Sequence, residues 1–362
     1  MAEQAAIVDR AAGALVGALI GDGLGVGPHW YYDLGELQEK YGPWISGYTA
    51  PRKSHYHEGL KPGQASQEGV IALALLEQVA RRGGYVQGDF TRWLDETFLP
   101  QIDGEPYHGP GGYTSHSIRD LHARRVLEKK DWSETGGTVD TTEAAQRAFV
   151  LAVRYAFQPG KLVDAVHRNT SLTQTDPTVL ALTSSYSLVL AALVRGEELD
   201  EELSKNLVRL AKSGVIPYYF VVKQSPDDPD FDGRKPYWYP SPDSLLTLGD
   251  IVRAVKDPAI QIEPAWKVGQ LYGLSCAIYH QIPAAYHLSV RFADDFEKAV
   301  LNAINGGGQN LARATLVGAL VGAHVGLSGI PARFLAGLEG HERILTLART
   351  VGEALAKEAG EF

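Results

Sequence analysis

Asn305-Gly306-Gly307-Gly308-Gln309-Asn310, running directly into Leu311–Gly326, is the stretch whose reading decides the fold. Three consecutive glycines make a loop where the backbone takes positive φ and approaches its surroundings without a Cβ penalty. The helix expected after it carries Gly318, Gly322 and Gly326 four residues apart, on one ridge. The same pattern stands at the other end of the chain as Gly13, Gly17 and Gly21, and the hexapeptide Gly-Ala-Leu-Val-Gly-Ala occurs at both Gly13–Ala18 and Gly318–Ala323. Helices with small residues at i and i+4 can pack more closely than ordinary ones, so the two are expected to pair at the centre. Polar residues flank the pair, Asp22 on one helix and Gln309-Asn310 on the other, and that junction is the expected site.

Composition narrows the class. The 362 residues are 44% hydrophobic, ample for a large core, and the net charge of −9 argues against a nucleic-acid surface. A single cysteine, Cys276, excludes an internal disulfide framework and reads as a buried thiol in its apolar run. No basic leader precedes the apolar run Ala11–Gly21, which is too short and glycine-rich for a bilayer span, so a cytoplasmic protein without membrane partners is expected.

Outward from the ridges the pattern is helical. Ile7–Gly21 reads as a core helix that Gly21-Asp22-Gly23-Leu24-Gly25-Val26-Gly27-Pro28 should end. Helical periodicity continues at Glu68–Arg82, Phe90–Phe98, Ser115–Leu127, Ala144–Phe157, Gly160–Arg168, Thr178–Arg195, Glu202–Ser213 and from Leu246 on. Asp140-Thr141-Thr142-Glu143 has capping-box spacing. Only Ile216–Val222 has strand character, and Pro217–Pro242, acidic and rich in aromatics, reads as an ordered excursion. No linker or composition step divides the chain, so one all-α domain is expected over 1–362.

These motifs together resemble the ADP-ribosylglycohydrolase superfamily over essentially the whole chain. They are Gly13-Ala-Leu-Val-Gly-Ala-Leu-Ile-Gly-Asp22-Gly-Leu-Gly25, Ile71-Ala-Leu-Ala-Leu75, Ile282-Pro283-Ala-Ala285 and Asn305-Gly-Gly-Gly308 before Gly318–Ala323. His29-Trp30-Tyr31 and Leu327-Ser-Gly-Ile-Pro331 look more like the branch that includes the jellyfish J1 crystallins. The resemblance implies an orthogonal helical bundle and, in active members, two metal ions, usually magnesium, that hold the ribose while an N- or O-glycosidic bond is hydrolysed. Here the first metal motif falls on Ser66-Gln67-Glu68-Gly69, the second on Gln309-Asn310-Leu311-Ala312, and a glutamate of several members on His29. Magnesium needs hard oxygen ligands and only Glu68 remains a carboxylate, so no metal or other cofactor is expected.

Two functional classes follow. The first is a hydrolase acting without metal on an ADP-ribosyl, nucleoside-like or other small glycosidic ligand. Glu68, His29 and Asp22 would supply acid–base chemistry, and Ser66, Gln67, Tyr107, Gly111, Gly112, Tyr113, Asn305, Gly307, Gly308, Gln309 and Asn310 would hold the substrate. In particular, Gly306–Gly308 would turn backbone N–H groups towards a ligand. Each has a plainer reading: Glu68 as complement to a helix dipole, Asp22 as a cap, His29 as a satisfied core ring, Gly109–Gly112 as a turn rather than a phosphate cradle. The second class is an inactive member that binds a ligand or serves as a crystallin-like scaffold. A soft-metal site on His29, His55 or His57 is a third reading, although His55 and His57 lack a third ligand at a recognisable spacing and read as a surface loop. The oligomeric state is open.

Overall fold

The computed structural model describes residues 2–216 and 242–360. The helices that place the site are α1 (Ala2–Val26), α2 (Gln67–Arg82), α3 (Ala145–Arg154), α4 (Pro177–Arg195), α5 (Ile278–Arg291), α6 (Phe296–Asn305), α7 (Asn310–Val325) and α8 (His341–Ala359). Among the described residues there is no strand, only the isolated bridges Gly137–Gln174 and Thr141–Ala277. The strand-like run from Ile216 and the aromatic excursion lie, apart from Ile216 and Pro242, outside the described residues.

α1 and α7 run antiparallel through the centre, buried almost throughout. A Cβ built on Gly13 would overlap the Gly322 carbonyl oxygen, one on Gly17 the Gly318 oxygen, and one on Gly21 the Ala314 oxygen. The contacts are reciprocal: the same construction on Gly318 and Gly322 meets Gly17 and Gly13. The two backbones therefore touch, so that glycine Cα–H groups stand against partner carbonyls. The expected break at Gly21 does not occur. α1 continues to Val26 because Gly25 extends the ridge and packs on the backbone of Leu311. An interior glycine costs a helix about 1 kcal/mol, a penalty that burial against α7 offsets at each turn of the ridge.

α8, α3 and α4 surround this pair, and Tyr186 on α4 donates to the Leu316 carbonyl at 2.9 Å. The buried apolar residues form one cluster from Ile7 to Ala356. α1 and α4 are long and apolar enough to cross a membrane, and most of each is buried inside this domain. Elsewhere two expected helices change pitch: Gln87–Trp93 widens into a π-turn at Leu94–Phe98, and His116–His122 into another at Ala123–Leu127. The capping box at Asp140 is not formed. α3 starts at Ala145 without a side-chain cap, and Glu143 turns to Thr141 instead.

Gly17→Ala or Gly322→Ala should lower stability by about 3 kcal/mol or prevent folding, because the partner is backbone and cannot yield. Gly88→Ala, on a helix with nothing within 4 Å of the new Cβ, should stabilise by up to about 1 kcal/mol. Urea denaturation of the three variants measures the contrast, and equal midpoints would show that the ridges do not meet.

Candidate active site

Four segments converge where α1 ends and α7 begins. Asp22 accepts the Ser66 backbone N–H at 2.8 Å and the Ser66 hydroxyl at 2.5 Å, while Ser66 Oγ caps α2 by accepting from Gly69 N. Gln67 donates to Thr114 Oγ1 at 3.0 Å and accepts from Ser115 N at 3.3 Å. Asn310 donates to the Pro28 and Ile304 carbonyls, both at 2.9 Å. His29 Nδ1 lies 2.6 Å from His57 Nε2, and His29 Nε2 stands against Gln309 Oε1. Thus 22–30, 66–68, 107–115 and 305–310 are wired together by side chains that the surrounding helices bury.

The glycine loops pack rather than point outward. Gly308 N donates to Tyr31 O at 2.7 Å, Gln309 N to Leu274 O at 2.8 Å, and Trp30 N to Gly308 O at 3.0 Å. Side chains on Gly307 and Gly308 would strike Tyr31 and Leu274, and both take left-handed φ (66° and 59°). Gly111 presses on the Ser66–Gln67 backbone and Gly112 on His57. The Gly308 N–H, expected to face a ligand, is therefore spent within the protein. Asn305 is spent likewise: it bonds Ile45 N and O, both at 2.9 Å. Of the residues expected to hold substrate, Tyr107 and Gly112 line an open groove of about 630 Å³ with His55, Tyr56 and Glu58, and Tyr113 packs beside Tyr56 and Trp30.

The site's carboxylates separate by environment. Glu68 is 8% exposed and its Oε1 has no partner. Burial first, and then the charge of Glu143, push its carboxyl up to about 8, outrunning the helix N-terminus expected to hold it down. A dipole contributes about 0.3–1 kcal/mol to such a group, whereas full burial moves a carboxyl by up to 3–5 pH units. Asp22 is raised by burial to about 6 despite its two bonds from Ser66. Glu143, also buried, is raised by burial but accepts from Thr141 Oγ1 and feels the buried Arg147 guanidinium. Arg147 is fixed by Asn169 Oδ1 at 2.7 Å and Thr173 Oγ1 at 2.8 Å. Both carboxyls are raised by burial, and Glu68 further by the charge of Glu143, so the pair favours holding one proton.

The histidines differ from the expectation. His57 is 1% exposed, not part of a surface loop, and donates from Nδ1 to Gly111 O at 2.7 Å. His55 Nε2 donates to the His29 carbonyl at 2.7 Å. Burial lowers His57 to about 4 and His29 well below its usual value. Because the His29 and His57 nitrogens bond each other, they leave no room for an ion between them, and no cluster of three metal-ligating side chains occurs among the described residues. Cys276 is half-buried, its thiol raised to about 11 by burial and Glu143.

A magnesium pair does not fit these donors. Ser66 and Gln67 are spent on Asp22, Thr114 and Ser115, and Leu311 and Ala312 are buried and apolar. One residue further on, the buried Arg313 guanidinium bonds the Ala303 carbonyl at 3.0 Å and the Gly307 carbonyl at 2.6 Å, placing a positive charge under the loop. Only Glu68 offers a carboxylate oxygen at the corresponding positions.

The profile of the ADP-ribosylglycohydrolase family matches residues 3–360, and the chain belongs to that family. It is similar to a solved structure described as an ADP-ribosylglycohydrolase-related protein complex, with 20% identity over 97% of this chain and 98% of that one and a TM-score of 0.61. That likeness shows the helical fold. No curated protein matches this sequence.

Glu143 and His57 are members of this junction that in the sequence read mainly as a capping-box residue and a surface-loop histidine. For Glu143 the one signal is Arg147 four residues on, whose charge reaches it; nothing near His57 marks its bond to His29. The raised Glu68 carboxyl has a consequence for stability. Its folded value lies above its unfolded one, so its contribution is full below about pH 4.5 and is lost as pH rises through about 8. Urea denaturation at pH 5 and pH 8 should show the parent losing on the order of 3 kcal/mol more than Glu68→Gln across that window. Parallel behaviour of the two proteins would mean that Glu68 is not buried as a neutral acid.

Proposed function

We propose that this member hydrolyses a glycosidic bond of a ribosyl or nucleoside-like small molecule by a carboxylate pair, without the magnesium pair. The observation that carries the reading is the Glu68 carboxyl, buried with one oxygen unpartnered and held neutral beside Glu143. Glycosidic cleavage needs a proton donor for the departing atom and a base to activate water on a positively charged, oxocarbenium-like centre. Glu68, neutral near physiological pH, supplies the proton. Glu143, which accepts from Thr141 Oγ1, is the partner that in its ionised form activates water or stabilises the developing positive charge. Asp22 and His29, whose polar atoms are spent on Ser66, His57 and Gln309, position the segments rather than react. Trp30, Tyr56, Tyr107 and Tyr113 form an aromatic cluster, and Tyr56 and Tyr107 line the groove that would receive the ligand.

The test is sugar release from N- and O-linked ribosides and ADP-ribosides, with EDTA or magnesium present. Turnover should be the same in both, and Glu68→Gln or Glu143→Gln should lower it by about 10²–10⁴ while binding persists. Activity that needs magnesium, or that survives both substitutions, contradicts the reading. Ligand-dependent stabilisation without release by the parent would instead support the binding-protein alternative.

A further inference from the structure

Backbone strain gathers at this junction. Among the described residues, four that are not glycine have left-handed φ, and Trp30 (60°), Ser54 (59°) and His57 (62°) are three of them. Bulky residues stay in that region only where the surroundings over-determine them, and such outliers cluster at working sites. The restraints here can be followed atom by atom. His57 is tied to the 109–112 loop through Gly111 O and to His29 through Nε2; His29 is tied to the 305–310 loop through Gln309. Trp30 stacks on His29, centroids 4.1 Å apart at 19°, and donates its backbone N–H to Gly308 O at 3.0 Å.

Proton bookkeeping fixes the chain. A carbonyl only accepts, so His57 carries a proton on Nδ1. In a neutral His57, Nε2 is then a lone pair, and His29 must donate to it from Nδ1. His29 Nε2 becomes a lone pair in turn, which requires the Gln309 amide, whose two ends are isosteric, to be turned so that its nitrogen takes the place of Oε1. No carboxylate bonds either ring. The groups facing them are His55, Gln309, the Gly111 carbonyl and the rings of Trp30 and Tyr113.

We propose that His57 and His29, both uncharged and both protonated at Nδ1, form a strut between the two glycine loops that positions Trp30 at the ligand mouth. The strut holds the indole against Tyr56 (4.5 Å, 74°) and Tyr113 (4.7 Å, 84°), and leaves the indole N–H buried without a partner. That N–H is the donor reserved for an acceptor atom on the ligand. This last step rests on the junction being the ligand site, whereas the strut itself does not.

The experiment uses the full chain with ring-¹⁵N histidine and a long-range ¹H–¹⁵N spectrum at pH 7, with assignments from His57→Asn and His29→Asn. Both buried rings should be neutral with the proton on Nδ1; an Nε2–H tautomer or a charged ring at either position overturns the strut. Near-ultraviolet circular dichroism supplies the second arm, with Trp30→Phe identifying the Trp30 signal. Asparagine tolerates left-handed φ, so His57→Asn removes the ring without adding strain. It should abolish the Trp30 signal. A lowered melting point with that signal intact would reduce His57 to a packing residue and overturn its positioning role. ADP-ribose binding, where the parent shows it, should weaken about tenfold in both His57→Asn and Trp30→Phe. Failure of the parent to bind ADP-ribose counts against the ribosyl reading of the site, while the two spectra still decide the strut.

Discussion

Backbone contact between α1 and α7 is the constraint on which the rest of the structure depends. Carbonyl oxygens of one helix occupy the places where side chains of the other would stand, at Gly13, Gly17, Gly21 and their partners. Nothing larger than hydrogen fits, so the register of the two helices is fixed to within one residue. That register lays the end of α1 beside the start of α7, with Gly21 against Ala314 and Gly25 against Leu311. The polar junction is a geometric consequence of close packing, and its side chains had to be satisfied inside a helical core.

These side chains are satisfied largely by one another. Amides and imidazoles replace carboxylates, and nearly every donor and acceptor finds a protein partner: Asp22 with Ser66, Gln67 with Thr114 and Ser115, His29 with His57 and Gln309, Arg313 with backbone carbonyls. Buried polar networks are costly when incomplete, and a few atoms at the junction are left without a protein partner. Glu68 Oε1, Asn310 Oδ1 and Trp30 Nε1 are such exceptions at the junction. One is a carboxyl oxygen, one an amide oxygen and one an indole N–H.

The helical ridges are legible in the sequence because glycine repeated at i and i+4 along an apolar helix costs stability unless another backbone lies against it. The convergence of four segments follows from those ridges. The end of α1 is not legible, because Gly21–Gly27 looks like a loop when solvent is assumed; burial against Leu311 makes most of it helix. The backbone N–H of Gly308 misleads for the converse reason. A glycine run signals close approach, and here what approaches is Tyr31 and Leu274. Glu143 is hidden by a capping-box spacing that the chain does not use, and His57 by a contact with His29 across 28 residues that no local pattern encodes.

The claim at the centre is that Glu68 is an un-ionised acid at neutral pH because it is buried beside Glu143. Glutamate-selective ¹³C labelling and NMR titration of the carboxyl carbon measure this directly, with Glu68→Gln supplying the assignment. The account predicts a midpoint near about 8 that falls towards the ordinary glutamate value in Glu143→Gln. A Glu68 carboxyl that titrates near 4.5 in the parent, unmoved by the loss of Glu143, would contradict it.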